Sequence, residues 1–103
     1  MVERVWSARA ASRDAAAAYA AYFRRVVLPE LAVVDGYRGA TLLQRALDGG
    51  VEVVVATRWE SQDAIHAFAG DDIARAVVHD EAAALLADYD RTVRHFEIVS
   101  EDR

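Results

Sequence analysis

The chain has no cysteine. A disulfide framework, a thiolate nucleophile and a cysteine-based metal site are therefore all excluded. It has no apolar stretch near the roughly 20 residues a membrane span requires, and its opening MVERVWSARA lacks the apolar segment of a signal peptide. A cytoplasmic protein with no membrane partner is the expectation. Basic charge is also short: 12 basic residues face 17 acidic ones, for a net charge of -5. The arginines are scattered, so counterion release, the main drive for nucleic-acid binding, has no source, and nucleic acid is set aside as a partner. Proline occurs once, at Pro29.

Alanine is what the chain has in quantity, at 22 of 103 residues. Alanine favours helix but buries little area, so core volume must come from Val, Leu, Ile and the aromatics. A chain of this length forms one domain, residues 1–103, burying about two thirds of its unfolded surface. A second subunit would add core that the monomer lacks.

Residues 2–10 alternate loosely between apolar and polar and read as a strand. Ser12 then caps a helix, with Asp14 in its first turn. Ala15, Ala18, Tyr19, Tyr22, Phe23 and Val26 make its apolar stripe, and Pro29 ends or kinks it. Gly36 supplies a turn. Residues 37–47 and 51–59 flank Asp48-Gly49-Gly50, a strong hairpin signal. Ser61 caps the next helix, which buries Ile65, Phe68 and Ala69 and stops at Gly70. Residues 71–90 read as one or two further short helices, and residues 91–100 as a last strand. The resulting order, βαββαβ, predicts an α+β, ferredoxin-like split βαβ fold with a four-stranded antiparallel sheet.

The blocks YAAYFRRVVLPEL, GYRGATLLQR, TRWESQDAIHAFAGDD and YDRTVRHFEIV, in that order, resemble the antibiotic biosynthesis monooxygenase domain of the dimeric α/β-barrel superfamily. The resemblance implies a homodimer joined through the sheet faces, with a pocket between each sheet and its helices. In cofactor-free members it implies a Trp at the end of the third strand, which Trp59 matches. It also implies an Asn four residues earlier, where Val55 stands, and a Tyr six residues later, where Ile65 stands. A second-strand histidine is replaced by Arg45. In the haem-degrading branch the implied first-strand Asn falls on Ser7 or Arg9, the implied Trp on Phe68, and the helical iron ligand on His79.

Residues two apart on a strand share a face, so Val53, Val55, Thr57 and Trp59 line up together on the pocket side that the resemblance implies. The expected pocket is apolar, built from Tyr22, Val55, Thr57, Ile65 and Phe68. The candidate catalytic residues are Trp59, Arg45 and His79, which would place and polarise a substrate. His66 sits off its helix's apolar stripe and reads as exposed, whereas His95, inside the last strand, reads as a satisfied structural histidine at the subunit interface. No two histidines have the spacing of a helical zinc pair, so no metal is expected. The expected function is cofactor-independent oxygenation of an aromatic or hydrophobic small molecule. The alternatives are a non-catalytic ligand-binding dimer and a haem-binding or haem-degrading protein.

Overall fold

The computed structural model describes residues 1–102. Strand β1 (Val2–Ala10) leads into helix α1 (Arg13–Tyr22), a π-helical turn (23–27) and helix α2 (Leu28–Ala32). Strands β2 (Tyr37–Leu47) and β3 (Gly50–Trp59) form the hairpin. Helix α3 (Gln62–Ala69), helix α4 (Asp80–Leu85) and the short strands β4 (Asp88–Tyr89) and β5 (Arg94–Glu97) follow. The sheet order is β2-β3-β1-β4, with β5 also on β1, and every pairing is antiparallel. This is the ferredoxin-like α+β arrangement, with β4 and β5 sharing the edge of a single fourth strand.

The local signals act as their chemistry dictates. Ser12 Oγ accepts the Ala15 N–H at 3.1 Å, and Ser61 Oγ accepts the Ala64 N–H at 3.3 Å. Gly36 has a φ of +87°, and a Cβ there would meet the Ala64 Cβ at 2.5 Å. Glycine at that position lets the start of β2 lie against α3, where the Glu60 N–H donates to the Gly36 carbonyl at 2.8 Å.

Pro29 does not end its helix. With no N–H to give and a ring that would crowd the Arg25 carbonyl, it is accommodated by the π-helical turn just before it. One inserted residue resets the helix face. Tyr22 and Glu30, eight residues apart, would differ by about 80° in a pure α-helix, but by only about 20° with the insertion. Within α1 the buried alanine is Ala16, and Ala18 is exposed.

Within residues 71–90 one short helix forms, Asp80–Leu85, and residues 71–79 are irregular. One expectation is corrected. The last strand is interrupted rather than continuous over 91–100, because residues 91–93 leave the sheet and pair with the irregular segment. Arg75 bridges Thr92, the Ala76 N–H donates to the Arg91 carbonyl at 2.9 Å, and the Val93 N–H donates to the Ala74 carbonyl at 2.8 Å.

All the helices pack on one sheet face. There Val51, Val53 and Val55 meet Tyr19, Tyr22 and Phe23, while Trp59 meets Leu31 and Ile65. Strand alternation sends Val5, Leu43, Val54 and Phe96 to the other face, which no described helix covers. Leu43 is 52% exposed and Phe96 46%. No described helix is long and apolar enough to cross a membrane.

Candidate functional site

Between the sheet and the helices lies a cavity of about 70 Å³. The sheet supplies Arg4 and Trp6 from β1 and Val55 and Thr57 from β3; the helices supply Tyr19, Tyr22 and Glu30; Val77, Val78 and His79 close one side. Residues 77–79, with Phe68, also border a wider concavity of about 420 Å³.

Of the residues expected in the pocket, Tyr22, Val55, Thr57 and Phe68 line the cavity, together with His79. Ile65 does not; it is fully buried beside Leu31. Trp59 is also fully buried, one layer beneath the cavity. Its ring stacks on Phe68 at 5.6 Å and meets Tyr37 edge-on at 5.6 Å, and its Nε1–H donates to Thr57 Oγ1 at 2.7 Å. Arg45 lies opposite Glu52 across the hairpin, on the helix-free face, and forms an ion pair with it. The register explains the placement: the β2 residues that share the cavity face are Ala40 and Leu42, paired with Thr57 and Val55. His66 is exposed, with Nδ1 at 2.9 Å from the Gly70 carbonyl oxygen.

His79 stands with Nε2 at 3.0 and 3.1 Å from the two carboxylate oxygens of Glu30. A carboxylate only accepts, so Nε2 carries the proton and donates it, which leaves Nδ1 as the basic nitrogen. Burial, followed by the charges of Glu30 and Glu81, raises the pKa of Tyr22. Burial and then Tyr22 raise that of Tyr19. Both phenols keep their protons at neutral pH, and neither hydroxyl has a hydrogen-bond partner among the described residues.

Arg4 is the residue whose role the sequence reading missed. It is only 5% exposed and forms no ion pair among the described residues. Its Nη1 donates to the Ile73 carbonyl at 2.6 Å and to His95 Nε2 at 3.0 Å, and its Nη2 donates to the Arg75 carbonyl at 2.9 Å. The guanidinium lies 5.8 Å from the Phe68 ring centre. Burial lowers its pKa to about 10, so it remains charged at neutral pH. The signal was present in the sequence, since Arg4 alternates with Trp6 and Ala8 on a strand face that is otherwise apolar. Glu30, brought to His79 from 49 residues away, carried no comparable signal. Among the described residues, no three His, Asp or Glu side chains gather as a metal set.

The family model for antibiotic biosynthesis monooxygenases matches residues 4–80. Among solved structures, the heme-degrader MhuD from Mycobacterium tuberculosis, with two hemes bound in its active site, has a TM-score of 0.64 at 21% identity, covering 100% of each chain. Rv0793 from Mycobacterium tuberculosis has a TM-score of 0.53 at 23% identity, covering 100% of this chain and 98% of its own. At those identities the likeness is one of fold. No curated protein matches the chain in sequence.

Proposed function

This chain belongs to the antibiotic biosynthesis monooxygenase family, and on that premise we propose that it is a homodimer that oxygenates a hydrophobic aromatic small molecule without a bound cofactor. The observation that carries this reading is the His79–Glu30 pair on the wall of an apolar, aromatic-lined cavity. A phenolic substrate gives its proton to His79 Nδ1, and the imidazolium so formed faces the Glu30 carboxylate, which stabilises it. The resulting phenolate reduces dioxygen directly. One oxygen atom replaces a ring hydrogen and becomes the second carbonyl of a quinone. The other leaves as water, taking up the displaced hydrogen and the proton held by His79. The aromatic walls position the ring, and His79 and Glu30 stand at the solvent-exposed rim of the cavity. The subunits meet through the helix-free sheet face, on which Leu43 pairs with Val54 and Phe96 stands exposed at the β5 edge.

Oxygen uptake with a panel of phenols and quinols tests this reading. His79→Ala should lower turnover by about 10²–10⁴-fold, the usual contribution of a positioned base. Glu30→Gln should lower it less. Unchanged uptake in His79→Ala would remove the base from the mechanism.

A second reading, a non-catalytic ligand-binding dimer, is favoured by Val55 and Ile65, which offer no hydrogen-bond donor where the family's cofactor-free oxygenases have Asn and Tyr. Tight binding of phenols with no oxygen uptake would support it. Haem fits the cavity poorly. At about 70 Å³ the cavity is well below the roughly 300–1,000 Å³ of pockets for drug-sized ligands. A porphyrin would require residues 77–79 to move so that the cavity and the neighbouring concavity merge. His79 also has Nε2 committed to Glu30.

A further inference from the structure

We propose that the cavity selects organic anions, aromatic molecules bearing a carboxylate or an ionised acidic hydroxyl, with Arg4 as their counter-ion. The inference rests on the same cavity as the proposed function and names the class of molecule it accepts.

Several independent observations converge on it. Arg4 is a buried cation among apolar side chains, and among the described residues no carboxylate pairs with it. Burying an unpaired charge is costly, and neutral partners offset only part of that cost. The partners here are two backbone carbonyls and the neutral His95 ring, which accept three of the five N–H bonds of the guanidinium. Two N–H groups are left without a protein acceptor, on a residue that lines the cavity.

Three further polar groups of the cavity, Tyr19, Tyr22 and Thr57, are donors as well. Tyr19 and Tyr22 contribute hydroxyls that have no protein partner. Thr57 already accepts from Trp59, so its hydroxyl proton is free to be donated. The one carboxylate on the wall, Glu30, accepts a hydrogen bond from His79. A cavity with a fixed cation and spare hydroxyl donors is matched by a ligand that brings acceptors and negative charge. A neutral, donor-rich ligand would leave Arg4 as it is. Charge-assisted hydrogen bonds to guanidinium are also the strong ones, with a planar fork that suits a carboxylate.

The test uses a matched pair, benzoate and benzamide, which share a single ring and differ in charge. Fluorescence titration of the native protein at neutral pH should show the acid binding at least about tenfold more tightly than the amide, the scale of one charge-assisted hydrogen bond over a neutral one. Arg4→Gln should abolish that preference while leaving amide binding within about threefold, and Arg4→Lys should restore part of it. Equal binding of acid and amide by the native protein would overturn the proposal, as would no binding of either. A preference that survives in a folded Arg4→Gln variant would overturn it too. If that variant does not fold, the native comparison still decides. The readout is independent of turnover, so an acid preference with no oxygen uptake would sink the oxygenase reading while leaving the anion site in place.

Discussion

Replacing Trp59 by phenylalanine separates a packing role from a chemical one. The native indole is fully buried, stacked on Phe68, edge-on to Tyr37 and hydrogen-bonded to Thr57 Oγ1 at 2.7 Å. The smaller ring leaves a gap on the order of 40 Å³, which at about 24 cal/mol per Å³ costs about 1 kcal/mol. Loss of the N–H···O bond adds about 1 kcal/mol, softened because Thr57 also faces the cavity. Including the transfer contribution of the lost ring atoms, the expected destabilisation is about 2–3 kcal/mol. For a domain of this size that lowers Tm by about 10–20 °C. Ligand affinity should fall only modestly, since the indole lies one layer beneath the cavity wall. Circular dichroism melting alongside oxygen uptake checks both halves. A variant that melts like the native protein yet loses turnover by about two orders of magnitude, the effect of removing one positioned donor, would refute the packing argument and place the indole N–H in the reaction.

Three further outcomes follow from the same geometry. Burial, and then the charge of Arg4, hold the His95 pKa below its ordinary 6.5; as pH falls through about 6.5 the unfolded chain takes up the proton first, so stability is level above that value and declines beneath it. His95→Gln, which keeps an acceptor for Arg4, should flatten that decline in urea titrations across the acid range, and an unchanged slope would assign it to other groups. Val54→Glu, on the helix-free sheet face, should convert the proposed dimer to a monomer in sedimentation at micromolar concentration; a native protein that is already monomeric would overturn that proposal. Titration with hemin should give weak binding at most and no loss of the macrocycle under reductant, whereas a sharp Soret band abolished by His79→Ala, followed by macrocycle breakdown, would reverse the reading against haem.

Much of the fold was legible because its signals are local. Two serine caps, the Asp48-Gly49 turn and strand alternation each act within a few residues, and they located β1, α1, β2, β3 and α3. What was not legible was non-local. Residues 71–79 have helical composition, but Arg4 takes up the Ile73 and Arg75 carbonyls and residues 91–93 pair with 74–76, so backbone groups that a helix would satisfy internally are satisfied elsewhere. The same exchange broke the last strand. In the site, alternation put Val53, Val55, Thr57 and Trp59 on one face of β3, and the family resemblance marked that face as the pocket side. The placement of Arg45 needed the register of β2, and the His79–Glu30 pair needed a π-helical turn that nothing in the local pattern marks.

Strand β5 is only four residues long, yet consecutive side chains on it point to opposite sides of the sheet. His95 is paired with Arg4 on the cavity side, and Phe96, opposite Glu3, lies on the helix-free side. One peptide unit therefore joins the charge in the cavity to the surface on which a second subunit would rest. An anion that draws Arg4 away from His95 would change how firmly β5 is held, and Phe96 moves with that strand. By linkage, any ligand that strengthens or weakens subunit association through this route must itself bind with altered affinity in the dimer, by the same factor. Saturation curves measured below and above the dissociation constant of such a dimer would then differ in midpoint.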